Sequence, residues 1–220
     1  MRGCRVIRDR PLARPSRHVE FFALVEALQQ PGCPVCRIAD RAGRRLLETL
    51  FSELVTDPQT RAQLRQAGGF CREHTEIAAR LGDALGSSII YADLLVEAGK
   101  SLSGGTPERC PACQAGAEAA KRALSTLLGH LTEGDVLAAY EHGDGLCLKH
   151  LAQVTARDPS PAARGLAEME RERMRTLAAE CQEFVAKSDY RRIGEPHGRE
   201  RNAWLRAARK LGGGFPDNGS

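Results

Sequence analysis

Apolar side chains recur at helical spacing along most of the chain, and no segment alternates apolar and polar residues as a strand would. The first such segment, HVEFFALVEALQQ, ends before a Pro-Gly pair, which is typical of a helix end. Its predicted apolar stripe consists of Val19, Phe22, Val25 and Leu28, with Phe21 and Leu24 alongside.

The same spacing, bounded by Gly, Pro and Ser residues, predicts nine further helices. They cover roughly residues 34–54, 57–67, 71 onward, 87–102, 111–131, 134–141, 147 onward, 162–187 and 200–211. The segment SGGTPER is the clearest internal linker, and residues 188–197 are predicted to be a loop. Within the ninth of the ten helices, the charged run EMERERMR, residues 168–175, is interpreted as a solvated face with pairs of opposite charge.

Two short motifs each occur twice. The segment PGCPVCRIAD at residues 31–40 returns in altered form as RCPACQAGAE at residues 109–118, and GFCREH at 69–74 returns as GLCLKH at 145–150. The Cys-x-x-Cys and Cys-x-x-His elements are separated by 34 residues in the first copy and by 33 in the second. The chain therefore contains an internal duplication of one chemical motif set.

We expect an all-α protein with an internal duplication, each half organised around a Cys3His metal site. The predicted organisation is a disordered Arg-rich tail, two helical repeats, and a C-terminal helix and tail packed on the same domain. These segments cover residues 1–17, 18–105, 106–190 and 191–220.

Three cysteines and one histidine form a common ligand set for a tetrahedral Zn²⁺ ion. Positions i and i+3 share a helix face, so each motif can direct two ligands at one ion. The free N–H groups and the positive dipole at a helix start also favour thiolates there. The predicted ligands of two zinc ions are Cys33, Cys36, Cys71, His74, Cys110, Cys113, Cys147 and His150.

Pairing of the motifs within each repeat is the simplest assignment, because a duplication copies a complete unit. It gives one site of Cys33, Cys36, Cys71 and His74 and another of Cys110, Cys113, Cys147 and His150. A crossed arrangement uses the same eight ligands and stays open at this point. An iron–sulfur cluster is the alternative to zinc, since it accepts similar ligands.

Composition and charge narrow the functional classes. Apolar residues make up 42% of the chain and aromatic residues 5%, and no run of about 18 apolar residues or secretory leader occurs. We therefore expect a cytoplasmic protein without a membrane segment, in which cysteines serve as metal ligands and do not form disulfides.

The first 17 residues hold six arginines and one aspartate, which leaves the rest of the chain with a net charge of −1. A nucleic-acid partner is therefore not expected.

The sequence resembles an uncharacterised bacterial domain-of-unknown-function family that has duplicated CPxC and CxxH motifs. The resemblance is carried by EFFALVEALQQPGCPVC, by GFCREH and GLCLKH, and by KSDYRR followed by GEPHGRERNAW. It covers about residues 18–212 and leaves the Arg-rich tail outside. The resemblance implies family membership and no particular activity.

No Gly-rich phosphate loop, nucleophile elbow, HExxH motif or paired-carboxylate motif is present, so we assign no catalytic residue and do not expect an enzyme. We expect a zinc-binding helical protein with structural metal, which acts as an interaction or regulatory protein. Its partner would be another protein or a second copy of itself. A redox-active thiol switch or iron–sulfur protein is the alternative function, and a nucleic-acid-associated regulator is the second alternative.

Overall fold

The computed structural model describes residues 19–100, 110–192 and 194–214. The Arg-rich tail, the SGGTPER linker and the last six residues lie outside these ranges. Within them no strand occurs, so the predicted all-α class is confirmed. The described helices are α1 Val19–Leu28, α2 Pro34–Thr49, α3 Pro58–Ala67, α4 Arg72–Leu81, α5 Ala84–Lys100, α6 Pro111–His130, α7 Gly134–His142, α8 Leu148–Arg157, α9 Pro161–Lys187 and α10 Ala203–Gly212.

Local sequence explains where these helices begin and end. Asp57 accepts a hydrogen bond from the Thr60 main-chain N–H at 2.7 Å and so caps α3, which ends at Gly68 in the left-handed conformation. Ser160 caps α9 in the same way, by accepting from the Ala163 N–H at 3.1 Å. A π-helical turn, Leu50–Leu54, continues α2 to its predicted end. The predicted loop before α10 contains a short 3₁₀ turn, and a second 3₁₀ turn leads into α10.

Helices α2 and α6 form the most extensive helix pair of the described structure. A Cβ atom on Gly43 would lie 3.1 Å from the Ala112 carbonyl oxygen, and one on Gly116 would lie 3.0 Å from the Ala39 carbonyl oxygen. Numbering rises along one helix as it falls along the other, so the two helices run antiparallel. The two glycines allow the helix backbones to approach closely, because neither position carries a side chain.

Two hydrophobic cores lie at the two ends of this helix pair, and each contains residues from both repeats. The first core joins α1 and the start of α2 to α6–α9, and it includes Leu24, Val35, Leu127, Tyr140, Leu146 and Leu166. The second core joins the end of α2 and α3–α5 to the start of α6, through Leu47, Leu64, Phe70, Ala78, Ile90 and Ala112. The two repeats are therefore interleaved and not packed side by side, although the residue boundaries predicted for them stay predictions.

The buried face of α1 differs from the predicted stripe. Val19 is 82% exposed and Phe22 is 62% exposed, whereas Phe21, Leu24 and Leu28 are buried. The prediction was wrong for Val19 and Phe22 and right for Phe21, Leu24 and Leu28, because aromatic and aliphatic residues cover most of the circumference of this short helix. The positions of α2, α6 and α7, which pack against α1, decide which of them enter the core.

Ion pairs join the C-terminal segment to α9. Lys187 of α9 donates to Glu200 at 2.9 Å, and Arg206 of α10 pairs with Glu180. Further along α10, Lys210 pairs with Glu170. No helix of the described ranges is long and apolar enough to cross a membrane.

Candidate metal centres

Four helices of the fold begin at a cysteine. Cys33, Cys71, Cys110 and Cys147 are the N-caps of α2, α4, α6 and α8, as the sequence predicts. Proline occupies the first turn of α2 and α6, where its missing N–H has no intrahelical use. The second ligand of each motif lies three residues further on, one helical turn away and on the same side as the cap.

The first site consists of Cys33, Cys36, Cys147 and His150, whose ligand atoms all lie within 4.8 Å of one another. The Nδ1 atom of His150 lies 3.5 Å from the Cys33 Sγ, 3.4 Å from the Cys36 Sγ and 3.3 Å from the Cys147 Sγ. The Sγ atoms of Cys36 and Cys147 are 3.6 Å apart.

The second site consists of Cys71, His74, Cys110 and Cys113, and its ligand atoms also all lie within 4.8 Å of one another. The Nδ1 atom of His74 lies 3.2 Å from the Cys71 Sγ and 3.4 Å from the Cys113 Sγ. The Sγ atoms of Cys71 and Cys113 are 3.6 Å apart. All eight residues singled out in the sequence therefore belong to one of two clusters.

The pairing of motifs within each repeat is wrong, because the structure has the crossed arrangement. Each CPxC motif joins the CxxH motif of the other repeat. The antiparallel packing of α2 on α6 explains this result, since the start of each helix lies beside the later part of its partner. The CPxC motif of α2 therefore enters the core that α6–α9 form, and the CPxC motif of α6 enters the core of α3–α5.

The separations between ligand atoms fit a single tetrahedral ion. Zinc with Zn–S bonds of about 2.3 Å and Zn–N bonds of about 2.0 Å has S···S edges of about 3.8 Å and S···N edges of about 3.5 Å. The measured S···S distances of 3.6 Å and S···N distances of 3.2–3.5 Å are close to these edges. They also differ from the sulfur–sulfur bond of a disulfide, which is about 2.05 Å, and the described cysteines are all free thiols.

Hydrogen bonds within the first site shift the pKa of Cys36, Cys147 and His150. Hydrogen bonds from Cys33 and Cys36 hold the pKa of the Cys147 thiol well below its ordinary value, while the hydrogen bond to Cys147 raises the pKa of Cys36. Burial lowers the pKa of His150, but hydrogen bonds to the sulfurs of Cys147 and Cys33 outweigh burial and raise it to about 9. A divalent cation displaces such protons when thiolates and imidazole bind it.

The two sites differ in exposure. Cys33, Cys147 and His150 of the first site are 7%, 1% and 4% exposed, and Cys36 is half-buried. In the second site only Cys110 is buried, while Cys71 and His74 are half-buried and Cys113 is exposed. The first site is therefore largely enclosed by protein, and the second reaches the surface at Cys113.

A buried polar network holds the turn that precedes Cys147. Glu170 of α9, which is 0% exposed, accepts from the Leu146 main-chain N–H at 3.0 Å and from the Tyr140 hydroxyl. Lys210 of α10 pairs with the same carboxylate and donates to the carbonyl oxygens of Asp144 and Leu146 at 2.9 and 2.8 Å. The C-terminal helix is thereby tied to a ligand-bearing turn of the first site.

Sequence reasoning missed this network, because it interpreted the whole EMERERMR run as solvated. Four of its charged residues do form exposed pairs three positions apart, namely Glu168 with Arg171 and Glu172 with Arg175. Glu170 and Arg173 face inward instead, and Arg173 donates to the carbonyl oxygens of Tyr140 and Gly143. Nothing within the run itself indicates which of its charged residues is buried. The repeat interval does single out Glu170, since it lies 77 residues after Asp93 of α5, another acidic residue.

Asp93 occupies the position in the first repeat that Glu170 occupies in the second, but it binds arginines of α3 and not the turn before the CxxH motif. It lies as far before Glu170 as the first CPxC motif lies before the second. Its carboxylate accepts from Arg61 at 2.5 and 2.7 Å and from Arg65 at 2.8 Å, which fastens α3 to α5. This pairing is partly exposed, whereas the Glu170–Lys210 pair is almost completely buried. The first site consequently has the more enclosed surroundings of the two.

Two cavities adjoin the sites. One of about 450 Å³ lies between α9, α10 and the turn before Cys147 and has Cys33 and Cys147 in its wall. The other, of about 440 Å³, extends along α2 from Cys36 to His74 and so touches both sites. Its wall has more basic than acidic residues, with four arginines, Arg37, Arg41, Arg44 and Arg209, against Asp40 and Glu73.

Comparisons with known proteins identify the family of the chain. The model of a family of unknown function, DUF6062, matches twice in succession, over residues 17–108 and 103–218, in agreement with the duplication. An uncharacterised 23.9 kDa protein in the xynA 3′ region of Caldicellulosiruptor sp. (strain Rt8B.4) is 26% identical over 185 residues, which is 77% of this chain and 89% of that protein. No solved structure matches the chain. Because these two matches together cover most of its length, the chain belongs to the DUF6062 family.

Proposed function

We propose that the protein binds two structural zinc ions, each of which fastens a helix of one repeat to a helix of the other. The supporting observation is that the four ligand atoms of each set all lie within 4.8 Å of one another, with S···S and S···N contacts of 3.2–3.6 Å in both sites that are close to the edges of a zinc tetrahedron. The ion of the first site would close a chain loop of more than 110 residues, and the ion of the second site would close one of more than 35 residues. Binding energy at such a site becomes folding energy.

Compactness favours zinc over an iron–sulfur cluster. In a cluster the protein ligands belong to different iron atoms, so they have to lie further apart than ligands that share one ion. Four ligand atoms that are all within 4.8 Å of one another suit a single ion. Mixed thiolate and imidazole ligands are a set that zinc prefers among the common divalent metals.

A structural role agrees better with the ligand count than a catalytic one. Catalytic zinc keeps an open position for water or substrate, whereas four protein ligands complete the tetrahedron. We therefore propose that the protein acts through interactions in the cytoplasm, with another protein or a second copy of itself as the partner. The basic groove along α2 lies between the two sites, so both ions would set the shape of its walls.

Elemental analysis of protein purified anaerobically, without added metal, tests the proposal. We expect a colourless protein with two zinc ions per chain, and one zinc ion in each of the variants Cys36→Ser and Cys113→Ser. Cys181→Ser is the matched control, since Cys181 is a half-buried thiol of α9 outside both clusters, and it should keep two zinc ions.

The thermal unfolding of these proteins tests the structural role. Each single-site variant should unfold at a lower temperature than the wild type, and the control should not. Iron with visible absorbance in the wild type would contradict the zinc assignment. Full stability after zinc removal would contradict a structural role for the metal.

A further inference from the structure

We propose that Cys113 is the residue of the two metal sites at which hydroperoxides and soft electrophiles react first, and that its modification opens the second site while the first stays closed. The inference rests on the proposed function, because it concerns thiolates that share a zinc ion. It assigns different roles to two sites that have the same ligand set.

Exposure separates the two CPxC motifs. Cys36 and Cys113 hold the same position in their motifs, at the third residue of α2 and of α6. Cys36 is half-buried, and Cys113 is the one exposed cysteine among the residues that the structure describes. A reagent in solution therefore reaches the Cys113 sulfur more readily.

The C-terminal segment covers the first site, and no segment within the described ranges makes equivalent contacts with the Cys113 sulfur of the second. The main-chain N–H of Gly214 donates to the Cys36 Sγ at 3.3 Å. A Cβ atom on Gly213 would lie 3.6 Å from the same sulfur and 3.9 Å from the Cys147 Sγ, so this backbone lies directly against both sulfurs. For Cys113, the described residues include no main-chain N–H donor to its sulfur. An N–H donor withdraws electron density from a thiolate and lowers its nucleophilicity.

The neighbouring sulfur completes an oxidation. In the first step the Cys113 thiolate attacks one oxygen of a hydroperoxide, an S–O bond forms, the O–O bond breaks and hydroxide or alkoxide leaves. The Cys71 thiolate, whose Sγ lies 3.6 Å from that of Cys113, then attacks the sulfenic sulfur and displaces hydroxide. Two thiolates lose two electrons in total, and the hydroperoxide is reduced by the same two electrons.

The product lacks two of the four ligands of the second site. A disulfide is no longer a thiolate donor, and Cys110 and His74 alone do not complete a tetrahedron. Cys110 belongs to the second core, and Cys71 packs against it, so loss of the site affects the end of α2 and the α3–α5 unit. The first core keeps its own ligand set, with Cys33 and Cys147 buried inside it.

The experiment uses the full-length protein after its zinc content has been measured. A content other than two ions would refute the proposed function before any reagent is added, so the two failures are distinguishable. N-ethylmaleimide or hydrogen peroxide is then added at one equivalent, zinc release is followed with a chromogenic chelator, and the modified cysteine is found by mass spectrometry.

We expect one zinc ion to leave at least about tenfold faster than the other, and the first maleimide adduct among the six cysteines of the two sites to be on Cys113. The Cys36→Ser protein should keep the fast phase, and Cys113→Ser should lose it. Equal release from both sites, or a first adduct on Cys36, would overturn the proposal.

A matched pair at Gly214 tests the covering segment. Both Gly214→Ala and Gly214→Pro crowd Cys36, where a Cβ would lie 3.1 Å from the Cys36 Cβ, but only proline removes the N–H donor. Zinc release from the first site should be faster in the Gly214→Pro protein than in the Gly214→Ala protein. Identical rates of zinc release in the two variants would show that the Gly214 N–H does not protect Cys36.

Discussion

The Sγ atom of Cys36 lies 3.6 Å from the Sγ atom of Cys147, although the two residues belong to different repeats. The equivalent contact of the second site joins Cys71 to Cys113, again across the repeats. Each candidate metal site is therefore a cross-link between the two halves of the duplication. Loss of either site would affect both halves of the chain.

Double substitutions distinguish crossed pairing from pairing within a repeat. Cys36→Ser with Cys147→Ser removes two ligands of one site, so the protein should keep one zinc ion. Cys36→Ser with Cys71→Ser removes one ligand from each site, so it should keep none. Metal content and thermal unfolding of both proteins provide the measurement. The opposite pattern of zinc content would show pairing within each repeat.

Gly43 is expected to be required for the contact between α2, α6 and the second site. A Cβ atom at this position would lie 2.9 Å from the His74 Nε2 and 3.1 Å from the Ala112 carbonyl oxygen. Gly43→Ala should therefore cost about 1–3 kcal/mol in the free energy of unfolding, because the helices have to separate. It should also weaken zinc binding at the second site more than at the first.

Gly129→Ala is the control for that substitution, since no atom lies within 4 Å of a Cβ at this position of α6. It should be neutral or stabilise the protein by up to about 1 kcal/mol, because alanine is the better helix former. Chemical denaturation of the two variants gives both free energies. An equal effect of the two substitutions would argue against a close helix contact at Gly43.

The buried pair of Glu170 and Lys210 should be strongly coupled. Lys210→Met removes the closer of two cations at the buried Glu170 carboxylate and leaves Arg173, whose Nε lies 3.6 Å from Oε1. Breaking a buried pair typically costs about 3–5 kcal/mol. Glu170→Gln in the Lys210→Met background should recover part of this loss, since the amide oxygen still accepts from Tyr140 and Leu146. A double-mutant cycle from urea unfolding measures the coupling.

Lys149→Met provides the matched control, because Lys149 is an exposed lysine of α8. Its effect on the free energy of unfolding should lie within about 0.5 kcal/mol of zero. Simple additivity of the Glu170 and Lys210 substitutions would contradict the proposed coupling.

The two faces of α1 should respond differently to truncation. Leu24→Ala removes a fully buried side chain from the first core and should cost about 2–5 kcal/mol. Phe22→Ala removes an exposed ring of the same helix, and its effect should lie within about 0.5 kcal/mol of zero. Thermal or chemical unfolding of the two variants tests the assignment. A larger loss in the free energy of unfolding for Phe22→Ala than for Leu24→Ala would support the buried face predicted from the sequence.

Local patterns were sufficient for much of the fold. Helix starts depend on nearby residues, so Pro34 and Pro111 in first turns and Asp57 at a cap could be recognised without a structure. The side of a helix that becomes buried depends on its neighbours instead. This is why the exposed Phe22 and the buried Glu170 were both assigned to the wrong environment.

The sequence by itself determined the candidate ligands, because three cysteines and a histidine at helical spacing recur in two copies and each pair fits one helix turn. Only the tertiary structure decided which pairs meet and how exposed each site is. A motif specifies the direction of two side chains on its own helix, whereas pairing depends on how α2 and α6 pack. Their antiparallel contact at Gly43 and Gly116 brings each CPxC motif to the CxxH helix of the other repeat. The C-terminal segment then covers one site and leaves Cys113 of the other at the surface.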